Sequence, residues 1–357
     1  MSANQPPQRK RGKRQQSFLR SKDAYTLDLR EISAMNEEEA FQRFVELRYA
    51  ATGGKPVCPG CEMVATNTIR RWNPKRSICR TIFKCKGCHK HFTATSNTVL
   101  AYHKMSFCDL LLTIALFVHK PKGTPALEIV SWLKCDYRAA MLLLHKLREA
   151  MARDAEQDAR PFEGEVEADT TWVGGSLRPK NLRAEIDGSR PDAVKQNPWK
   201  YPYRGRNKKN VTVLLERGAH GRVFAGVADK ERESPTFIEP RVTKATTLIT
   251  DQAGVYQKLG WNVKEHLTVN HSLCFWTGEA NTNTAESFFS VMRRAEIGVY
   301  HHISHPAFVE SYIKERAWRF QYRRVSTGEK FNALLRAVGL RGRSKYAGMW
   351  QRGRAVA

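Results

Sequence analysis

The chain has 357 residues, which suggests two or three domains, and its apolar content of 41% is enough for a sizeable core. No run of about 18 apolar residues occurs, and the basic, polar start lacks an apolar segment, so we predict neither a membrane span nor a secretory signal. The 60 Lys and Arg residues outnumber the 35 Asp and Glu residues, which gives a formal charge of +25. This excess predicts an acidic partner, most commonly nucleic acid, with a ribosome-associated or simply well-solvated basic protein as the alternative.

The chain begins with a segment, residues 1–35, that we predict to be a disordered basic arm. Basic residues at positions 9–14 lie among Gln, Pro and Ser, a composition that favours disorder. Such an arm can follow a phosphate backbone, or it can be only a solvated tail. After it, Asn36 and the acidic residues 37–39 predict the start of a helix that runs to about Tyr49.

Two cysteine pairs follow within residues 36–100, which we predict to form an N-terminal helix plus a zinc ribbon. The pairs have the spacing C-x-x-C, are separated by 23 residues, and consist of Cys58, Cys61, Cys85 and Cys88. Each turn presents two sulfurs, and four thiolates close a tetrahedral Zn²⁺ site of the structural kind, with no position left for substrate. One C-x-x-C would suffice for redox chemistry, so the repeat favours structural zinc and a binding role. We predict ordinary thiols for the other cysteines, Cys79, Cys108, Cys135 and Cys274.

Residues 101–160 are predicted to form a helical, helix-turn-helix-like domain. An apolar helix over 106–120 ends before Pro121, a second helix opens at Pro125, and Asp136 is the expected N-cap of a longer one. Two helices joined by a short turn in a basic chain favour a DNA-binding motif, with a plain helical linker domain as the alternative.

From residue 161 the pattern becomes α/β, and we predict one domain over residues 161–325. The helix over 283–296 is expected to have Thr284 as its N-cap. The predicted strands are 165–173, 211–216, 223–228, 246–250 and 263–269, and the predicted helices are 253–260, 283–296 and 306–320.

A basic insertion, residues 178–209, interrupts this domain. It holds ten basic residues against three acidic ones, with Trp199, Tyr201 and Tyr203 interleaved. Basic and aromatic side chains together suit a nucleic-acid backbone with stacking on bases, while a flexible solvated insertion is the alternative. The end of the chain, residues 326–357, is again rich in Arg and is predicted to be a basic C-terminal tail.

Carboxylates concentrate at three places in the α/β region, against the strong positive charge of the chain. Glu165, Glu167 and Asp169 share one face of the first predicted strand, Asp251 ends a later strand, and Glu286 lies near the start of a helix. Taken singly, Glu165 fits a solvated edge strand, Asp251 a helix N-cap and Glu286 a helix first turn. Taken together, Asp169, Asp251 and Glu286 can converge on hard cations, which prefer oxygen ligands and serve phosphodiester chemistry in pairs.

The order and spacing of these elements resemble those of the ISXO-like insertion-sequence transposases, zinc-ribbon members of the DDE (RNase H-like) superfamily. The resemblance covers roughly residues 37–324. Its motifs include Cys58-Pro-Gly-Cys61, Phe83-Lys-Cys85-Lys-Gly-Cys88, Gly164-Glu-Val-Glu-Ala-Asp169, Thr250-Asp251, Asn270-His271-Ser272 and Thr282-Asn283-Thr-Ala-Glu286-Ser, followed by Arg293-Arg294. The implied fold is an N-terminal zinc ribbon plus a helical, helix-turn-helix-like segment, then an RNase H-like catalytic domain of mixed β-sheet with flanking helices.

The resemblance implies that Asp169 and Asp251 are the first two catalytic aspartates and metal ligands. For the third position we favour Glu286, and we keep Asn283 as its competitor because Asn can replace the third acid in this family. Arg293 matches a basic position that is also prominent in this stretch.

This sequence departs from the family pattern in a few places, which leaves open a weakened or inactive copy. Thr170 stands where an acid is common, and Asn281 stands where His is common. Arg293 stands where Lys is common, and Arg keeps the positive charge but not the point-charge geometry.

The expected function is that of a bacterial DNA transposase, cytoplasmic and nucleoid-associated, with no membrane partner. It is expected to bind terminal inverted repeats in double-stranded DNA as a homodimer or larger assembly. Two Mg²⁺ or Mn²⁺ ions are the expected catalytic cofactors for DNA cleavage and strand transfer. His271 and Arg293 are candidate contacts to DNA or to the scissile phosphate, with a structural role as the alternative for His271. The alternatives are a zinc-ribbon DNA-binding regulator with an inactive catalytic domain and a metal-dependent nuclease.

Overall fold

The structure is a computed structural model that describes residues 18–64, 66–73, 78–174, 208–218, 220–269, 281–300, 303 and 306–349. Predictions made for the start of the basic arm, for nearly all of the insertion 178–209 and for His271 lie outside these described residues.

Two sheets organise the described chain: a small antiparallel one in the order β1-β2-β3 and a mixed one in the order β6-β5-β4-β7-β8. The strands are β1 Thr66–Asn73, β2 Ile78–Cys85, β3 His91–Phe92, β4 Phe162–Val173, β5 Lys209–Glu216, β6 Val223–Ala228, β7 Val242–Asp251 and β8 Glu265–Val269. The helices are α1 Leu29–Ala34, α2 Glu37–Arg48, α3 Phe107–His119, α4 Ala126–Leu133, α5 Tyr137–Glu156, α6 Ser234–Ile238, α7 Asn283–Gly298, α8 Pro306–Gln321 and α9 Thr327–Gly339.

Helices α2, α3 and α5 begin where the sequence supplies a capping side chain. Asn36 accepts the N–H of Glu39 while the Glu39 carboxylate accepts the N–H of Asn36, a capping box that confirms the predicted start of α2. Ser106 and Asp136 likewise accept backbone N–H groups at the starts of α3 and α5. Between α4 and α5 the chain turns at Lys134, whose φ is 50°, so the predicted helix-turn-helix-like pair is present.

The last helix, α9, corrects the prediction of a basic tail over residues 326–357. Its apolar side chains at positions 331, 334, 335 and 338 are buried in the same core as α2, α3 and α5. The sequence carries the signals of a helix here: Ser326 is the N-cap, and the apolar residues recur at helical spacing. The high Arg content of the segment masked that spacing, because the charged side chains occupy the exposed face.

A single truncation tests whether α9 belongs to the N-terminal core. Leu334→Ala is expected to lower the free energy of unfolding by about 2–5 kcal/mol, because the side chain is fully buried and leaves a cavity. Arg336→Ala, two residues along on the exposed face, is the control and is expected to change it by less than about 0.5 kcal/mol. Chemical denaturation of both variants measures their free energies of unfolding. Equal values would show that α9 does not belong to the N-terminal core.

The predicted disordered arm, residues 1–35, also needs correction in its second part. Ile32 of α1 is buried in the N-terminal core, and Leu27 packs against that core. The N–H of Leu27 donates to Thr327 Oγ1 at 3.1 Å, which ties this segment to the start of α9. The prediction of disorder was based on the basic residues at positions 9–14, whereas the apolar residues that anchor the second part, Leu27 and Ile32, come after them.

The five-stranded sheet has helices on both faces, as the predicted fold class requires. β4 pairs antiparallel with β5 and parallel with β7, so the sheet is mixed. On one face α7 and α8 cover the side chains of β5 and β6 with a core that includes Phe288 and Ile313. On the other face α6 and the 3₁₀ segment Gly254–Asn262 pack against Val166 and Leu248.

Among the helices of the described residues, none combines the length and the apolarity that a bilayer-spanning segment requires.

Candidate active site and zinc ribbon

Strand pairing brings two of the predicted site residues side by side. β4 and β7 are neighbouring parallel strands, and after a register shift that follows Phe162 their pairing runs from Gly164 opposite Thr246 to Glu167 opposite Ile249. Two residues further along both strands, this register sets Asp169 level with Asp251, the last residue of β7. Neighbouring strands lie about 4.8 Å apart, and level residues of a parallel pair point to the same face. The two carboxylates therefore share one face at the end of the sheet.

Helix α7 lies over that same face and brings the other predicted residues to it. Arg293 Nη2 donates to Thr171 Oγ1 at 3.0 Å, and Thr171 is two residues beyond Asp169 on the same side of β4. Glu286 lies two turns before Arg293 on one side of α7, and Asn283 lies one turn before Glu286. The side of α7 that carries Glu286 and Arg293 thus faces the end of the sheet near Asp169, although among the described residues only the four cysteines bring their ligand atoms within 4.8 Å of one another.

The pKa of the Asp169 carboxyl responds to its burial and to the charges of the other carboxylates. Burial raises the pKa of its carboxyl to about 7, and the negative charges of Asp251, Glu286 and Glu167 act in the same direction. The N–H of Thr170, which donates to Asp169 Oδ1 at 2.6 Å, opposes this rise. Mutual repulsion of this kind is relieved by a divalent cation, and an all-oxygen donor set suits Mg²⁺ or Mn²⁺.

Asp251 is not the helix N-cap that its position alone suggested, because Ala253 holds that position before the 3₁₀ segment Gly254–Asn262. Its Oδ1 accepts the N–H of Ala253 at 3.1 Å, as a carboxylate does at the first turn after a strand. Tyr256, in that next segment, is buried, and burial together with the charges of Asp169 and Asp251 raises the pKa of its phenol. The turn bond therefore fixes the Asp251 carboxylate at the end of β7, while the Tyr256 ring packs in the core on the opposite face of the sheet.

The predicted N-cap of α7, Thr284, is wrong. The helix begins at Asn283, and Thr282, at the N-cap position, makes no side-chain capping bond. Glu167 takes that role from β4, where its carboxylate accepts the N–H groups of Thr284 and Ala285. The acid pattern of β4 placed Glu167 on the correct face, but no local signal pairs it with a helix 117 positions away.

The four cysteines of the two C-x-x-C pairs form one cluster at the end of the small sheet. Their sulfur atoms all lie within 4.8 Å of one another. The Cys58 and Cys88 sulfurs are 3.5 Å apart, and the Cys61 and Cys85 sulfurs are 3.4 Å apart. Four sulfurs at about 2.3 Å from a central tetrahedral zinc lie about 3.8 Å from each other, so the cluster fits structural zinc.

Backbone groups prepare the cluster for a cation. Gly60 N–H points at Cys58 Sγ at 3.4 Å, and Gly87 N–H points at Cys85 Sγ at 3.3 Å. The backbone N–H of Cys88 and that of Gly87 lower the pKa of the Cys85 thiol to about 6, against the effect of burial. A thiolate is the form that binds zinc, so these contacts favour the metal-bound state.

Comparison with known protein families assigns both halves of the chain. The transposase zinc-ribbon domain family matches residues 35–91, and the ISXO2-like transposase domain family matches residues 161–321. Together they cover more than half of the chain. It belongs to the ISXO-like transposase family. No curated protein and no solved structure matches this family member.

Loss of one cysteine from the two C-x-x-C pairs is expected to abolish zinc binding by this transposase-family protein. Cys85→Ser leaves three thiolates, which do not close the tetrahedral site, so purified protein should fall from about one zinc per chain to near zero. Cys135→Ser is the control, because Cys135 lies outside the cluster. Zinc is counted after acid release with a colorimetric chelator, and full zinc content in Cys85→Ser would contradict the four-thiolate site.

Proposed function

We propose that this family member is an active insertion-sequence transposase that cuts DNA at the ends of its element and joins the freed ends to target DNA. The observation that supports this most strongly is the register of β4 and β7, which sets Asp169 beside Asp251 on the face covered by the helix of Glu286. In this proposal Asp169, Asp251 and Glu286 hold two Mg²⁺ or Mn²⁺ ions.

The chemistry divides between the ions and the chain's own residues. Bound in a pair, such cations stabilise the charge on the attacking and leaving oxygens of an in-line phosphodiester reaction. The chain's part is to hold the carboxylates in place and to orient the DNA. Arg293, steadied by Thr171, is positioned to pair with a phosphate near the carboxylates. Asn283, one turn before Glu286, is the competing third ligand.

Binding of the element's ends is assigned in this proposal to residues 36–160, and the chemistry to residues 161–325. A zinc ribbon and a helix-turn-helix-like pair are DNA-binding modules, and a charge of +25 favours phosphate contacts. Joining two ends in one event requires two catalytic sites, so the working form is a homodimer or larger assembly on double-stranded DNA. Such a reaction takes place on the bacterial nucleoid.

A strand-transfer assay tests the proposal. The substrate is a labelled duplex that carries the short inverted repeats flanking the gene, incubated with target plasmid and Mg²⁺ or Mn²⁺. The proposal predicts a cut that frees a 3′-OH at the repeat, followed by joined products. Both products should require the divalent cation.

Two other outcomes of the same assay overturn the proposal and favour different functions. Binding of the duplex without any cleavage, unchanged in Asp169→Ala and Asp251→Ala, favours a zinc-ribbon regulator with an inactive catalytic domain. Cleavage without joined products favours a metal-dependent nuclease.

A further inference from the structure

Glu167 is a fully buried carboxylate that belongs to β4 but acts on α7. One of its oxygens, Oε2, accepts the N–H of Thr284 at 2.8 Å and the N–H of Ala285 at 2.9 Å. These are first-turn amides, which have no partner inside their own helix. A negative charge at a helix N-terminus is also favourable to the helix dipole. The start of α7 is thus bonded to the middle of the central strand.

Arg217, just after β5, locks this carboxylate in position. Its Nε donates to Glu167 Oε1 at 2.9 Å, and its Nη1 donates to Glu165 Oε2 at 2.6 Å. Its Nη2 donates to the carbonyl oxygen of Asn281 at 2.7 Å, just before α7. A planar guanidinium that binds three groups at once fixes their relative positions. We call Glu167, Arg217 and their bonds to the start of α7 the clasp.

The clasp lies next to two carboxylates of the site, Asp169 on β4 and Glu286 on α7. Glu167 is two residues before Asp169 on the same face of β4, and the amides it binds immediately precede Glu286. A hydroxyl at Thr282 would have capped α7 without burying a charge, yet Thr282 makes no such bond. We propose that Glu167 and Arg217 are positioning residues, which hold Glu286 at the distance from Asp169 that a shared divalent cation requires.

This inference rests on the proposed function, since it assigns the clasp to the same metal site. Glu167 itself is not a candidate ligand, because Oε1 is taken by Arg217 and Oε2 by two amides. Groups that orient metal ligands in this way typically contribute about 10–100-fold to metal affinity or activity.

The test compares Glu167→Gln with Glu165→Gln in the full-length protein. Both changes remove one negative charge from the same strand face beside Arg217, but only Glu167 contacts α7. A glutamine at 167 must present its NH₂ group either to Arg217 or to the two amides, so the clasp opens on one side. Hydrogen exchange at Thr284 and Ala285 is expected to quicken by about ten-fold or more in Glu167→Gln only.

The functional readout is the Mg²⁺ concentration that gives half-maximal cleavage of the end duplex. It is expected to rise about ten-fold or more in Glu167→Gln, with a smaller loss of rate at saturating Mg²⁺. The ion pair of Glu165 with Arg217 is half exposed, so in Glu165→Gln the half-maximal Mg²⁺ concentration should stay within about three-fold of that of the unaltered protein. A fold that is only weakened would lower the amount of active protein without shifting this concentration.

Each result bears on one part of the argument. Equal amide exchange in the two variants overturns the clasp, whatever the enzyme does. Faster exchange with an unchanged Mg²⁺ dependence overturns the positioning role and leaves Glu167 as a helix cap. Absence of cleavage in the unaltered protein sinks the proposed function while the exchange result still stands. If Glu167→Gln does not fold, Arg217→Lys is used instead, and it is expected to shift the Mg²⁺ dependence in the same direction.

Discussion

Asp169→Asn is expected to lower the rate of end-DNA cleavage by about 10³-fold or more. The substitution keeps the shape of the side chain but removes the charge that binds cations, and metal stabilisation of the reacting oxygens amounts to several kcal/mol. At about 1.4 kcal/mol for each factor of ten, a loss of about 4 kcal/mol gives this reduction. Asp251→Asn should act equally, because the two carboxylates are level on neighbouring strands. Single-turnover cleavage of the labelled end duplex measures both.

Matched variants show whether the effect is specific to the site. Glu163→Gln, on an exposed part of β4, is expected to leave the rate within about two-fold. Duplex binding in Asp169→Asn should be retained, which separates chemistry from DNA recognition. Comparison of Glu286→Gln with Asn283→Ala identifies the third ligand, and we expect the larger loss from Glu286→Gln. A cleavage rate in Asp169→Asn close to that of the unaltered protein would show that Asp169 is not a catalytic residue.

Glu315→Gln is expected to lower the free energy of unfolding by about 3–5 kcal/mol, because it leaves buried arginines without a counter-charge. Glu315 of α8 is fully buried, and it accepts Arg148 Nε of α5 and Arg319 Nε, both at 2.7 Å. The hydroxyl of Tyr300 donates to the same carboxylate at 3.0 Å. Arg319 also donates to the carbonyl oxygen of Phe117 at 2.8 Å, near the end of α3. This cluster therefore joins the helical N-terminal half to the sheet domain.

The control for this prediction is Glu310→Gln on the same helix. Glu310 pairs with Lys314 and Lys345, but the pairs are partly exposed, so the expected loss is below about 1 kcal/mol. Chemical denaturation of the three proteins measures the difference. Equal stabilities of Glu315→Gln and Glu310→Gln would contradict the importance of the buried cluster.

The same cluster predicts the direction of a pH effect. Burial alone would raise the pKa of Glu315, but Arg319 and Arg148 outweigh it and hold the pKa at about 2, below the ordinary 4.5. A folded-state pKa below the unfolded value means that the stabilisation is complete above pH 4.5 and is lost as the pH falls toward 2. The stability gap between the unaltered protein and Glu315→Gln should therefore narrow as the pH falls below 4.5.

Periodicity and caps in the sequence were sufficient to predict most elements of the sheet domain. The strand at 223–228 has the predicted bounds, and β4, β5 and β7 extend the predicted ones by a few residues. The four-cysteine cluster followed from spacing, because each C-x-x-C turn fixes two sulfurs locally and the repeat supplies the four thiolates of a zinc site. Short α6 was missed, since five residues carry too little period to recognise.

The candidate site was only partly accessible from the sequence. Asp169 and Asp251 were named from strand ends and from the family resemblance, but their adjacency depends on which strands pair and in what register. The clasp depends on contacts between residues 50 or more positions apart, so Arg217 gave no signal. The buried cluster of Arg148 and Glu315 is hidden for the same reason: charged residues predict exposure unless their partners are known.

Calorimetric titration of the metal site with Mn²⁺ tests the central claim most directly, because it needs neither the DNA sequence nor turnover. Zinc-loaded full-length protein should bind Mn²⁺ through Asp169, Asp251 and Glu286. Either Asp169→Asn or Asp251→Asn should lower the Mn²⁺ affinity about ten-fold or more, whereas Glu163→Gln should leave it unchanged. The same Mn²⁺ affinity in all four proteins would show that these carboxylates do not share a cation.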